Sequence, residues 1–341
     1  MAQPPPPAKT VQESVSDGEA VKEGYAYTDG KVATSGEAIH VMEVPVIDLG
    51  LLASSPSAAG ELFKLRSALA LWGCFQAINH GMSGSFLSKV RELMGQFFAL
   101  PMEEKQKYAS PADDMEGYGN DMVLSEQQVS DWNERLLLII SPKDQRKLDV
   151  WPRKPESFRE RVQEYSVKLR AIVGVVLKAI SLSLNLEENC FLDQVGEQGK
   201  MYARFNYYPR CPRPDLVYGL KPHADGSTMT IVLPDEEVLG LQFLRGDQWI
   251  SVSTIPEAVL INIGDIMEIM SNGILKSPMH RVVTNATSDR ISVAVFCCPE
   301  EENEIGPAEG LINEDTLRLY KKIFYSEYYQ LGKRPIEALK I

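Results

Sequence analysis

Beyond Met201 the chain is written in short β-branched and aromatic runs separated by turn residues: TMTIVLP, LQFLRGDQWISVS, AVLINIGD, HRVVTN and RISVAVFCC. Runs of this length, bounded by Gly, Pro, Asn and Asp, are strands rather than helices. Several of them joined by short connections must close on one another as an antiparallel barrel or sandwich. Leu241 to Val252 reads as a hairpin turning at Gly246-Asp247, and Asn285 to Asp289 supplies polar turn chemistry between two further strands.

Upstream the pattern differs. After a short strand at Val44, Val46, Ile47 and Leu49, ended by Gly50, ELFKLRSALALWG spaces its apolar residues three and four apart, as a helix requires. A second helix is predicted from Ser83 to Phe98, ahead of Pro101, and a long one from Glu156 to Leu186, just after Pro155. Residues 41–200 are therefore expected to be mainly helical. Residues 1–40, rich in Pro, Ser, Gly, Glu and Lys and lacking apolar periodicity, read as a mobile arm. LRLYKKIFYSEYYQL, near the end, returns to helical spacing and predicts a helical segment over 301–341, packed outside the barrel or at its mouth. The fold class is α+β, with one folded domain over 41–341.

A chain of 341 residues, 44% hydrophobic and 24% charged, can bury a large core around a deep pocket. Its formal charge of −12 comes from scattered acidic residues and leaves no basic stripe, which argues against nucleic acid and anionic membrane as partners. The five cysteines, Cys74, Cys190, Cys211, Cys297 and Cys298, form an odd set without CxxC and suit a reduced, cytoplasmic setting. MAQPPPPAKT has no apolar run behind it, and the most apolar helical stretch, Ala171 to Leu184, is interrupted by Lys178, Ser181 and Ser183. Neither secretion nor a membrane span is expected, and oligomeric state leaves no mark in the sequence.

Four histidines are present: His40, His80, His223 and His280. In PHADGS, His223 and Asp225 occupy alternate positions, which on an extended strand puts both side chains on one face. A third ligand is available at His280, because an antiparallel barrel brings distant strands together. Two imidazoles and one carboxylate leave several metal positions open, the set expected for iron(II) that must also bind oxygen and a co-substrate, although zinc hydrolysis uses the same atoms. A His-x-Asp pair alone is usually structural, so independent support is needed.

That support comes from RISVAVFCC. Arg290, Ser292, Ala294 and Phe296 share one strand face there, and Ile291, Val293 and Val295 share the other. An arginine between two apolar faces is costly unless it meets an anion, and its planar fork suits a carboxylate held at two points. The alternative is an ordinary strand-end arginine reaching solvent beside Asp289. Its position shortly after His280 favours the anion, and a dicarboxylate co-substrate would satisfy it.

Together HADGST, MHRV and RISVAVF, preceded by NYYPRCP, resemble the plant 2-oxoglutarate and iron(II)-dependent dioxygenases. The resemblance extends to VPVIDL, WGCFQAINHG, FFALPMEEKQKY, NIGD and SNGILKSPMHRV, and so covers most of the chain in order and spacing. It implies a double-stranded β-helix (jelly-roll) core over 201–300 with flanking, mostly N-terminal, helices. It also implies iron(II) held by His223, Asp225 and His280, and 2-oxoglutarate held by Arg290 and Ser292 with Tyr208 and Asn206. Oxygen would be the oxidant and ascorbate an activator. The reaction implied is hydroxylation, O-demethylation or desaturation of a small molecule, with release of succinate and carbon dioxide. DWNERLLL and WPRKPESFRE look most like the specialised-metabolism branch, which points to a small aromatic substrate; hormone-catabolising relatives share the same core. Ala224 and Met229 stand where many relatives carry Thr and Leu.

The remaining candidates carry competing readings. His80, in the INHG turn, reads as structural and His40 as solvated. Tyr118, between Gly117 and Gly119, would form a flexible pocket edge or a plain turn. Phe296, on the face of Arg290, would line the substrate pocket or serve as ordinary core. Trp132 and Trp151, flanking LLLII, read as packing residues. A non-catalytic small-molecule binder on the same barrel would be expected to have lost part of the ligand or clamp set, yet all five positions from His223 to Ser292 are intact.

Overall fold

The computed structural model describes residues 10–16, 20–21, 23–27, 41–54, 58–111, 114–120, 129–331 and 335–341. His40 lies outside them. The N-terminal half runs α1 (Val11–Ser16), β1 (Val41–Met42), β2 (Val46–Asp48), α2 (Leu49–Ser54), α3 (Ala59–Leu71), β3 (Cys74–Ile78), α4 (Gly84–Phe98) and α5 (Met102–Gln106). It continues through β4 (Gly117–Gly119), β5 (Glu134–Ser141), α6 (Phe158–Ser183) and α7 (Cys190–Val195). The two helices predicted at Ser83 and Pro155 are there for the reasons given. Ser83 caps α4 by accepting a hydrogen bond from Phe86 N at 3.3 Å, and α4 then buries Phe86, Val90, Leu93, Met94 and Phe97 at helical spacing. α6 starts beyond Pro155 and buries Val162, Leu169, Val173, Val176 and Ile180. Each such side chain, taken fully out of water, contributes about 1.5–3 kcal/mol before its entropy cost.

The strands that follow are β6 (Met201–Tyr208), β7 (Tyr218–His223), β8 (Met229–Leu233), β9 (Leu241–Arg245), β10 (Gln248–Val252) and β11 (Val259–Ile263). After α8 (Asp265–Met270) come β12 (His280–Val283) and β13 (Arg290–Cys297). They form a large sheet of order β2-β3-β11-β8-β13-β6-β5-β4 and a smaller one of order β1-β10-β9-β12-β7. The β9–β10 hairpin turns at Gly246-Asp247 as the sequence predicts. One face of the large sheet is covered by helices, where Ile231, Leu233, Ile261, Val293, Val295 and Phe205 pack with residues of α3, α4 and α6. The other meets the small sheet through Cys74, Val232 and Leu260 on one side and Phe243 and Val252 on the other. This is a jelly roll with flanking helices, and the sheet buried on both faces explains why β5 reads as a continuous apolar run.

Two expectations about the termini need correcting. The C-terminal stretch is not one helix. Leu319 N donates to Asn272 Oδ1, and β14 (Glu304–Ile305) pairs with β15 (Ile323–Phe324) before the short α9 (Tyr325–Tyr328) and α10 (Pro335–Leu339). Tertiary hydrogen bonds thus override a helical spacing. At the other end, part of the arm read as mobile is docked: Val11 is buried with Trp132, Cys211 and Val217. Gln12 N donates to Glu134 Oε1 at 2.9 Å, and Gln12 Oε1 accepts from Lys105 Nζ. Glu134 and Lys105 are themselves buried and paired at 3.4 Å. A short polar helix is held because it supplies partners to charges that water cannot reach. Glu134→Leu, which strands the Lys105 ammonium, is expected to cost about 3–5 kcal/mol in urea unfolding; a loss below about 1 kcal/mol would mean that the pair is solvated.

Candidate metal centre and anion clamp

His223 ends β7, His280 begins β12, and the two are direct cross-strand partners on the small sheet, with ring centroids 4.2 Å apart. Asp225 lies just past the end of β7 rather than on it, so the pair is brought together by the connecting turn and not by strand alternation. Its Oδ1 stands 3.6 Å from the Nε2 of each histidine. The three donor atoms lie within 4.8 Å of one another, a separation at which one ion can be shared. Backbone carbonyls orient both rings: Nδ1 of His223 bonds to Lys221 O at 2.8 Å and Nδ1 of His280 to Pro278 O at 3.1 Å. Carbonyls accept only, so each Nδ1 carries the proton and each Nε2 lone pair faces the centre. The donor set therefore fits a divalent first-row metal.

The charges of the three groups depend on one another. Burial, together with the neighbouring His223, pushes His280 down to about 4, which keeps it neutral. Burial opposes charge on His223 too, but the Asp225 carboxylate outweighs it and raises the pKa. For Asp225 burial acts upward, yet the two imidazoles and Thr230 hold the carboxyl well below its ordinary value. The turn is tightly packed. Asp265 N donates to Asp225 O at 2.7 Å, and a Cβ at Gly264 would come within 2.6 Å of that same oxygen, so only glycine fits. Tyr329 Oη donates to Gly226 O at 3.3 Å, bringing the C-terminal aromatic cluster against the same turn.

The predicted clamp residues form two cross-strand pairs on the inner face of the large sheet: Arg290 opposite Tyr208, and Ser292 opposite Asn206. Arg290 is buried, its Nη1 donates to Ser292 Oγ at 3.3 Å, and its Nε has no hydrogen-bond partner. A buried guanidinium with an unmet donor, beside a hollow lined by Gln76, Leu241, Val252 and Leu260, fits the carboxylate of a bound ligand. Gly240 makes room for it: an added Cβ would stand 2.9 Å from Arg290 Cδ. Gly240→Ala is expected to raise the 2-oxoglutarate KM roughly 10- to 100-fold by displacing that side chain, and an unchanged KM would show that the loop yields instead.

Phe296 lies on the same inner face, opposite Tyr202 and Thr230, and is half-buried. Tyr118 does not join it. It pairs with Leu136 on the helix-covered face, packs on Phe97 at 6.0 Å and donates to Glu134, so it is a core residue; its glycine neighbours gave the sequence no indication of which face it would take. His80 bonds to Glu257 O at 2.8 Å in a surface turn, away from the centre, and Trp132 and Trp151 are buried. Sequence reasoning missed Arg204, whose Nε donates to Asn206 Oδ1 at 2.6 Å, along with Thr230 and Asn262, which bond to Asp225. For Arg204 a signal existed, since it alternates with Asn206 and Tyr208.

Fold and donor set together fit a mononuclear non-haem metal oxygenase, with a buried guanidinium beside the candidate metal centre. A family profile described as the 2OG-Fe(II) oxygenase superfamily matches residues 200–299, and one described as the non-haem dioxygenase in morphine synthesis N-terminal region matches 44–154. The chain is 38% identical over 307 residues to jasmonate-induced oxygenase 4 of Arabidopsis thaliana, covering 87% of this chain and 86% of that one. Codeine O-demethylase of Papaver somniferum is 41% identical over 286 residues, covering 83% and 79%. A crystal structure of JOX2 in complex with 2OG, Fe and JA superposes with a TM-score of 0.87 at 32% identity, covering 99% of each chain. The chain belongs to the 2OG-Fe(II) oxygenase superfamily. It is a 2-oxoglutarate-dependent dioxygenase that requires iron and takes a small-molecule substrate. Among the described residues no helix is long and apolar enough to cross a membrane.

Proposed function

We propose that His223, Asp225 and His280 are the iron ligands, and that Arg290, with Ser292, Tyr208 and Asn206, holds the distal carboxylate of 2-oxoglutarate. The substrate is a small aromatic plant specialised metabolite, oxidised by hydroxylation, O-demethylation or desaturation.

Bound iron would supply oxygen activation, coupled to oxidative decarboxylation of 2-oxoglutarate to succinate and carbon dioxide, with ascorbate keeping the metal reduced. The protein's share is orientation and exclusion of water. His223 and His280 present lone pairs fixed by carbonyls, Arg290 fixes the far end of the co-substrate, and Phe243 and Val252 keep the space between the sheets dry. Phe296, half-buried beside Thr230, is the proposed contact with the substrate. The enzyme acts in the cytoplasm and has no nucleic-acid partner, in keeping with its −12 charge.

The observation that carries this reading is the unmet Nε of buried Arg290 on the inner face of the jelly roll. A dicarboxylate co-substrate accounts for that donor directly, whereas neither metal hydrolysis nor plain binding in itself calls for one. Specialised metabolites are favoured by the 41% identity to codeine O-demethylase and the 38% identity to the flavonoid 7-O-demethylase of Ocimum basilicum. A second reading, oxidation of a plant hormone, is favoured by the JOX2 structure, whose complex contains JA. Succinate release from the purified chain with iron(II), ascorbate and 2-oxoglutarate, measured against aromatic metabolites and hormones in one panel, separates the two. Stimulation by hormones alone would favour the second reading, and no succinate from iron-loaded protein would sink both. Phe296→Leu is expected to change relative kcat/KM across the panel by about 10-fold, in the range of a pocket side chain, leaving the 2-oxoglutarate KM in place; an unaltered ranking would remove Phe296 from the pocket.

A further inference from the structure

β8 and β11 are apolar along almost their whole length, yet Thr230 and Asn262 interrupt them at positions that are direct cross-strand partners. Both are buried, and a buried amide or hydroxyl is costly unless it is matched. Both are matched by one atom. Thr230 Oγ1 donates to Asp225 Oδ2 at 2.6 Å, and Asn262 Nδ2 donates to the same oxygen at 2.8 Å. Ser227 Oγ stands 3.2 Å from Thr230 Oγ1 and helps to set that hydroxyl. The other oxygen, Oδ1, is the one that faces both imidazoles.

We propose that Thr230 and Asn262 are positioning residues that saturate Asp225 Oδ2 with two donors, so that the carboxylate offers a metal Oδ1 alone. This rests on the reading of Asp225 as a ligand and adds how that ligand is constrained. A carboxylate oxygen has two lone-pair directions, and two donors occupy both. Oδ2 is then unavailable for chelation, and the carboxylate takes one coordination position rather than two. That leaves room for a bidentate keto acid and for oxygen on the same ion. The two donors also fix the torsion of the Asp225 side chain, which lies past the end of β7 and has no strand neighbour on each side to hold it.

The test is Co(II) titration of the full chain after chelator stripping, comparing the parent with Thr230→Val, Thr230→Ser, Asn262→Leu and Asp225→Ala. Thr230→Val and Asn262→Leu are each expected to weaken Co(II) binding about 10- to 100-fold, as loss of a ligand's hydrogen-bond support does elsewhere. Thr230→Ser, which keeps the hydroxyl, is expected to bind as the parent does. Valine suits a strand, so Thr230→Val carries the test alone if thermal unfolding shows that Asn262→Leu does not fold. A loss below tenfold in a folded Thr230→Val overturns the proposal, as does a Thr230→Ser that falls as far as Thr230→Val. If Asp225→Ala binds Co(II) like the parent, the ligand reading fails and takes the proposal with it. Weak binding by Asp225→Ala beside tight binding by Thr230→Val overturns the positioning role alone.

Discussion

Asp225→Ala is expected to lose metal and turnover together, with kcat/KM falling on the order of 10³-fold or more, since a bound metal is worth several kcal/mol of transition-state stabilisation. The loss follows from geometry: Oδ1 is the atom common to both histidines, at 3.6 Å from each Nε2, so without it two imidazoles remain on neighbouring strands with no anionic partner. Stability should fall as well. The imidazoles and Thr230 hold the carboxyl below its ordinary value in the folded chain, and buried Thr230 and Asn262 lose the acceptor they share. The measurement is iron content with succinate release on one preparation. Turnover near the parent's in an iron-loaded Asp225→Ala protein would rule Asp225 out as a ligand.

Arg290→Leu is expected to raise the KM for 2-oxoglutarate roughly 10²- to 10³-fold while iron content stays at the parent's level, because truncating one partner of a buried charged pair costs about 2–5 kcal/mol. Leucine fills part of the space and leaves Ser292 Oγ without the guanidinium that bonds to it at 3.3 Å. Arg290→Lys should fall in between, since an ammonium keeps the charge but not the two-point fork. Isothermal titration of 2-oxoglutarate into the Co(II)-loaded protein reads binding apart from chemistry. Equal affinity in Arg290→Leu and the parent would move the co-substrate to another part of the site.

Some of this was legible in the residues and some was not, for physical reasons. Strand alternation placed Arg290, Ser292 and Phe296 on one face, and β13 bears that out because β6 pairs with it along its whole length and β8 from Val293 onward. The same rule reached the His223 and Asp225 pair by a wrong route, since Asp225 is past the strand and owes its orientation to Thr230 and Asn262. Asn262 could have been noticed as the lone amide in VLINI, but its partner is fixed only when β8 and β11 are side by side. Tyr118 was unreadable in a different way. Flanking glycines show no inside and outside, and its face is decided by Glu134 and Phe97 on other elements. The C-terminal aromatics kept helical spacing in the sequence while the chain bends at β15 to reach Asn303 and Asn272.

Both ends of the described chain lean on working parts. Gln12 completes the hydrogen bonding of buried Glu134, on the strand beside the clamp strand β6, and Tyr329 touches the carbonyl of Gly226, next to Asp225. Trimming the first forty residues as dispensable would therefore wet an interior carboxylate. Strain on the Tyr325–Tyr328 segment and Tyr329 would likewise reach the turn that carries Asp225. For anyone preparing this enzyme, an internal surface turn such as Gly246-Asp247 is a gentler place for a label than either end.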